Sequence, residues 1–300
     1  MATVAVTGAT GAIGRHLIPA LLDRGDRVVA LVRSPPREGL PAEVEQRAWE
    51  ATFKTADLSG VNAVVHLAGA PVANRRWTEA RKRYIELSRL LGTRSVVSGM
   101  REFPGVRVLV SASGIDYHGD TGDVPISETS PAGRGFLPDL AVRWEQEAEK
   151  ARELGARVVL LRTGMVLARG EGALARMEPI FRAGLGARLG SGAQWVPWIH
   201  WQDEVGLILH ALDHPEIDGP MIAAAPNPVP NREFARALAR ALGRRPFPVP
   251  VPAPMLRLAL GEMATLVLSS HRAVPEVALA TGYRFRFPEL EPALADLYRS

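Results

Sequence analysis

The chain has 300 residues, 47% hydrophobic and 23% charged, with a formal net charge of +4 and no cysteine. That composition is globular and long enough for one large domain or two closely joined ones, and it excludes disulfides, thiolate catalysis and cysteine-ligated metal. The basic balance comes from 33 Arg against 3 Lys, spread among acidic residues without interleaved aromatics, so no nucleic-acid partner is expected.

The first elements carry the strongest signal. Val4-Ala5-Val6 is a short apolar run, followed at once by Thr7-Gly8-Ala9-Thr10-Gly11-Ala12-Ile13-Gly14. A strand entering a glycine turn that opens a helix is the arrangement that binds a dinucleotide pyrophosphate. Gly8 permits the turn, Gly11 lets backbone approach the phosphates, and Gly14 lets the helix pack against the sheet. The predicted helix over 15–24 buries Leu17, Ile18, Leu21 and Leu22, and the apolar run 28–32 completes a βαβ unit. Where an Asp or Glu would hold the ribose 2′-hydroxyl of NAD, the sequence has Arg33 and then Ser34. A guanidinium suits a 2′-phosphate, so the expected cofactor is NADP(H).

A strand over 61–70 ends in small residues, a helix spans 77–100, and a strand over 106–110 leads to Ser111-Ala112-Ser113. A helix over 140–154 and a strand over 158–161 follow, the latter ending at Arg162-Thr163-Gly164. Strands alternating with helices predict an α/β fold, a Rossmann-type doubly wound parallel sheet. Past residue 168 the alternation gives way to glycine-rich, Trp-containing and Pro-studded segments. The expected division is a cofactor domain over 1–167 and a smaller substrate lobe over 168–300, with some interleaving. No run of 18 uncharged apolar residues occurs and the N-terminus opens on a strand, so a cytoplasmic protein with no membrane partner is expected. The seven His show no metal spacing; His210 and His214, with Pro215 beside them, read as a helix end.

These residues together resemble the extended short-chain dehydrogenases/reductases, within the NAD-dependent epimerase/dehydratase superfamily, and more narrowly their atypical epimerase-like family 39U. The resemblance spans the chain. It rests on the glycine turn, His66-Leu67-Ala68-Gly69, Arg76-Trp77-Thr78, Ser88-Arg89, Ser111-Ala112-Ser113 with Tyr117, Trp144-Glu145, the segment 162–167, Gly190-Ser191-Gly192, Trp198-Ile199-His200 and the segment 275–294. It implies that Leu67, Ala68 and Gly69 line the cofactor, that Arg89 reaches its phosphates or ribose, and that Val166 lies near the nicotinamide.

The family's Tyr, with a Lys four residues later, is missing: none of the Tyr residues at 84, 117, 283 and 298 has that partner, and the expected region offers Leu137 and Ala141. Ser113 and Tyr117 are the remaining catalytic candidates, with Arg162 or His118 as an assisting cation. Trp195, Trp198 and Trp201 read as packing, and Asp203 as the N-cap of a helix, with an acid–base pairing to His200 as the alternative. The implied activity is an NADP(H)-dependent oxidoreductase or epimerase acting on a polar carbonyl or sugar-nucleotide-like small molecule, with homo-oligomers permitted. The competing reading is a non-catalytic NADP(H) sensor or regulatory protein.

Overall fold

The computed structural model describes residues 2–299. Seven strands, β1 (Thr3–Thr7), β2 (Arg27–Val32), β3 (Glu45–Ala48), β4 (Ala63–His66), β5 (Val108–Gly114), β6 (Arg157–Thr163) and β7 (Gly219–Ala223), form one sheet. Their order is β3-β2-β1-β4-β5-β6-β7, every pair parallel. The chain reverses its direction of travel across the sheet between β1 and β4, and a ligand crevice lies beyond the carboxyl ends at such a point.

Central strands covered on both faces become continuous apolar runs. Alternation along β1 sends Val4 and Val6 toward one layer, with Leu17, Ile18 and Leu21 of α1 (Gly14–Asp23), while Ala5 points to the other. That second layer holds Val96, Val97 and Met100 of α2 (Glu79–Glu102) and Ala148 of α3 (Phe136–Glu149). Thr78 caps α2 by accepting the Arg81 amide at 3.2 Å. Helix α3 starts four residues before the expected Leu140, because Pro138 falls in its first turn, where no amide donor is required. The strand expected over 106–110 runs on as β5 through Ser113.

Two edge strands escape pattern reading. β3 is Glu45-Gln46-Arg47-Ala48, polar because only one neighbour covers it, and β7 comes from beyond residue 168 to pair with β6 from Gly219↔Val159 to Ala223↔Thr163. Between β6 and β7 the chain makes α4 (Leu174–Arg182) and α5 (Trp201–Asp213); α5 packs beside α1 in the first layer. After β7 come α6 (Asn231–Ala241), α7 (Ala253–Leu260) and α8 (Leu290–Tyr298). A separate core of Leu167, Leu174, Trp198, Phe234, Leu238, Leu290 and Leu294 packs α4, α6 and α8 together, so Trp198 is packing, as its spacing suggested.

The expected cap at Asp203 is corrected. The short strand Trp198–His200 runs directly into α5, so His200 is the N-cap, its Nδ1 accepting the Gln202 amide at 3.2 Å. Asp203 sits in the first turn, and its carboxylate accepts the amides of Arg286 (2.7 Å) and Phe287 (2.9 Å) and the Tyr283 hydroxyl (3.1 Å). Nor does His200 pair with Asp203: its Nε2 faces Asp296 of α8 at 3.4 Å, and burial lowers its pKa to about 4. Among the described residues no helix is long and apolar enough to cross a membrane, and no group of three His or acidic residues could hold a metal ion.

Candidate nucleotide and catalytic site

The turn after β1 is built by contacts that only glycine tolerates. Gly8 has φ +69°, and a Cβ there would lie 2.9 Å from the Leu67 carbonyl carbon. A Cβ on Gly14 would overlap the Gly8 carbonyl oxygen, and the Gly11 amide donates to that same oxygen at 2.9 Å. The turn thus presses α1 onto the end of β1. The amides of Ala12 and Ile13 donate to no backbone acceptor among the described residues, and they stand at the helix N-terminus, where an anion is favoured. Thr10 and Ile13 are half-buried beside them.

The end of β4 is tied to this turn by a chain of hydrogen bonds. The Thr7 hydroxyl accepts the amides of Leu67 and Ala68, both at 3.1 Å, so its proton goes to Nδ1 of His66 at 2.7 Å. His66 is therefore the Nε2–H tautomer, donating to Thr93 Oγ1 at 3.0 Å, which also accepts the Trp144 indole N–H at 2.9 Å. Burial lowers the His66 pKa to about 4 and keeps it neutral. Leu67, Ala68 and Gly69 are thereby fixed against Gly8. Over Gly69 lies the guanidinium of Arg89: a Cβ there would be 3.3 Å from its central carbon. Arg89 donates to the carbonyls of Ala70 (2.9 Å) and Ile85 (3.3 Å), lies 4.9 Å from the Trp144 ring centroid, and has no ion-pair partner among the described residues. Burial first, then Arg81, lowers its pKa to about 10, which leaves it a cation at neutral pH.

Arg33 and Ser34 are exposed just beyond β2, without ion-pair or side-chain hydrogen-bond partners among the described residues. Val166 is half-buried in the short strand Met165–Leu167, paired with Ile199. The structure gathers Gly8, Thr10, Gly11, Ile13, Gly14, Leu67, Ala68, Gly69 and Arg89 around the β1/β4 crevice. Arg33 with Ser34, and Val166, lie farther out at the ends of β2 and β6.

Ser113 and Tyr117 belong to one buried network that sequence spacing does not reveal. Ser113, near the end of β5, donates to Glu145 of α3 at 2.6 Å. The same carboxylate takes two bonds from Arg162 of β6, at 2.9 and 2.8 Å, and Arg162 also reaches the Glu128 carbonyl at 3.0 Å. The Arg162 guanidinium lies over the Tyr117 ring, 3.5 Å from its centroid. Arg162 is thus a cation beside Tyr117, but on the ring face. His118 is not one: its Nδ1 donates to the Pro131 carbonyl, Arg162 donates to its Nε2, and burial lowers its pKa to about 4. The Tyr117 hydroxyl has no protein partner among the described residues, and the side chain is half-buried. Leu137, Ala141 and Glu145 follow at four-residue spacing along one face of α3, so the turns preceding Glu145 are apolar.

Three further groups went unread in the sequence: the buried Glu145 as the hub, the half-buried Asp116 in the turn Ile115–His118, and the buried Glu204 of α5. Thr163 donates to Glu204 at 2.8 Å, and burial raises the Glu204 pKa to about 8. Only Trp144-Glu145 carried a signal, as part of the family resemblance.

A seven-stranded parallel sheet in this order, with a glycine turn at its switch point, defines a dinucleotide-binding α/β protein of the Rossmann type. The chain belongs to the NAD dependent epimerase/dehydratase family, whose model matches residues 4–222, while residues 251–297 match the domain of unknown function DUF1731. It is 40% identical over 297 residues to the epimerase family protein Mb2239 of Mycobacterium bovis, covering 98% of this chain and 96% of that one. The crystal structure of human epimerase family protein SDR39U1 with NADPH matches with a TM-score of 0.86 at 33% identity, over 99% of both chains. A nucleoside-diphosphate sugar epimerase from Corynebacterium glutamicum matches with a TM-score of 0.82 at 29% identity, over 99% of this chain and 58% of that one.

Proposed function

We propose that the protein is an NADP(H)-dependent epimerase or oxidoreductase acting on a polar carbonyl compound of sugar-nucleotide type. The observation that carries the reading is the glycine cradle at Gly8, Gly11 and Gly14, locked to Leu67 and overlooked by the unpaired cation Arg89. The NADPH of the human relative and the sugar nucleotide named for the Corynebacterium glutamicum protein support it. Amides of the glycine turn would hold the pyrophosphate, Leu67 to Gly69 and Val166 would line the dinucleotide, Arg89 would reach its phosphate or ribose, and Arg33 with Ser34 would take the 2′-phosphate. The nicotinamide supplies or accepts a hydride when bound. Ser113 commits its proton to Glu145 and so presents lone pairs, which suits it to receive a substrate hydroxyl. The Tyr117 hydroxyl is free to donate to a substrate oxygen.

Titration with NADPH, NADP, NADH and NAD tests this reading. Tight binding selective for NADP(H), with Arg33→Ala erasing about 1–3 kcal/mol of the NADPH-over-NADH preference, is expected; absence of nicotinamide nucleotide binding refutes it. The apolar pair Leu137 and Ala141 favours a second reading, a cofactor-binding regulator without turnover. A panel of carbonyl and sugar-nucleotide substrates separates the two, since an enzyme turns one of them over and loses rate in Tyr117→Phe.

A further inference from the structure

The carboxyl end of α6 opens onto a cleft of about 370 Å³ that shares no residue with the β1/β4 crevice. It is lined by Arg169, Arg182, Ala241, Leu242, Gly243 and Tyr298, so the loop before α4 and the ends of α4, α6 and α8 meet around it. The volume is that of a small-molecule site, but such sites are mostly apolar. This cleft presents cations instead.

The loop that carries Arg169 is fixed from behind. Its Glu171 pairs with Arg15 of α1 at 2.9 Å, and Arg15 donates to the Thr10 carbonyl at 3.1 Å. The Arg169 guanidinium lies 5.9 Å from the centroid of the Tyr298 ring and makes no ion pair or hydrogen bond among the described residues, so its N–H donors are unspent. Arg182 holds Glu178 Oε1 through Nε at 2.8 Å and Nη2 at 2.7 Å, and the other Glu178 oxygen accepts the Tyr298 hydroxyl at 3.3 Å. Nη1 of Arg182 has no acceptor among the described residues. Arg244, next after Gly243, donates Nε to the Arg182 carbonyl at 2.9 Å, which sets a third guanidinium beside the cleft.

Three guanidinium groups therefore meet one carboxylate. Cations near a helix carboxyl end often serve its free carbonyls. Here none of the three side chains donates to a carbonyl of residues 238–243 among the described residues, and Arg244 spends only its Nε, on the last residue of α4. Like charges gathered with too little counter-charge repel one another, and a bound anion relieves that repulsion.

We infer that this cleft binds the phosphate group of a free small molecule other than the dinucleotide. Phosphate oxygens match the planar fork of Arg169 in a two-point contact, Nη1 of Arg182 adds a donor, and Arg244 adds charge beside them. Leu242 and the Tyr298 ring offer the organic part of the ligand an apolar flank. The site stands apart from the nicotinamide reading, because the cleft and the crevice have no residue in common.

Calorimetric titration of the full-length protein with inorganic pyrophosphate, against sodium chloride of matched ionic strength, tests the assignment. Arg169→Gln and Arg244→Gln probe the cleft, where both side chains are exposed and dispensable for folding, and Arg89→Gln probes the crevice. The expected result is a saturable component weakened about 10-fold or more in Arg169→Gln, less in Arg244→Gln, and unchanged in Arg89→Gln. Equal Tm of the parent and Arg169→Gln without pyrophosphate shows that the loss is one of binding. Absence of a saturable component, or one that Arg169→Gln leaves intact, overturns the inference; a component lost only in Arg89→Gln assigns the anion to the dinucleotide crevice and overturns it too. Co-sedimentation with phosphatidylcholine vesicles containing phosphatidic acid separates the two carriers of such a group. Failure to sediment supports a free molecule, whereas sedimentation of the parent but not of Arg169→Gln overturns that choice in favour of a lipid headgroup.

Discussion

The Glu145–Arg162 pair gives a test of the buried network that needs no substrate. The two side chains are 8% and 3% exposed, and their bidentate contact is completed by Ser113. Glu145→Ala would leave the guanidinium enclosed with only the Glu128 carbonyl and the His118 ring as acceptors. Removing one partner of such a pair costs about 3–5 kcal/mol, because the remaining charge stays buried and uncompensated. With an unfolding entropy of about 2 cal/mol/K per residue over the whole chain, that is a fall in Tm of roughly 5–8 °C. Replacing both members, as Glu145→Leu with Arg162→Met, should recover most of the loss, since the desolvation cost disappears with the charges. Thermal and urea unfolding of the singles and the double form the assay. The exposed Arg24–Asp213 pair is the control, and Asp213→Ala should cost no more than about 1 kcal/mol. A loss below about 1 kcal/mol for Glu145→Ala, or singles that add within about 0.5 kcal/mol in the double, would show that the two charges are not a buried, mutually compensating pair.

Folded Glu204 keeps its proton up to about pH 8, whereas the unfolded carboxyl loses it near pH ~4.3. The unfolded chain therefore binds fewer protons through that window, and this group's contribution to stability falls as pH rises. Glu204→Gln should be more stable than the parent at pH 8 by on the order of 3–5 kcal/mol and equal to it near pH ~4; urea midpoints that shift in parallel at both pH values refute it. Asp203→Ala strips acceptors from the Arg286 and Phe287 amides, and with charge-assisted bonds worth about 1.5–3 kcal/mol each, Tm should drop and protease cleavage should open within 281–288. An unchanged digestion pattern counts against the clamp.

The glycine turn was legible because two of its requirements are local: a positive φ at Gly8 and a carbonyl pressed against Gly14 act within seven residues. Helix α2 was legible from its apolar spacing. The edge strands were not, since β3 carries Glu and Arg on faces that only a central strand must keep apolar, and β7 begins Gly219-Pro220. Asp203 misled because acidic residues serve both at caps and as acceptors for distant amides, and its partners lie 80 or more residues away. The Ser113–Glu145–Arg162 network spans 32 and 17 residues of separation, and no periodicity marks a buried ion pair.

The late arrival of β7 bears on the birth of the chain at the ribosome. Until residues 219–223 have emerged, β6 ends the sheet with Val158 to Leu161 offering unpaired amides and carbonyls along an apolar edge. Such an edge is a template for strands of other chains. The nascent protein therefore passes through a stretch of synthesis, from residue 163 to residue 223, in which its largest sheet is open to adhesion. Translation pauses or premature stops in that interval would leave this edge exposed and turn a folding protein toward aggregation.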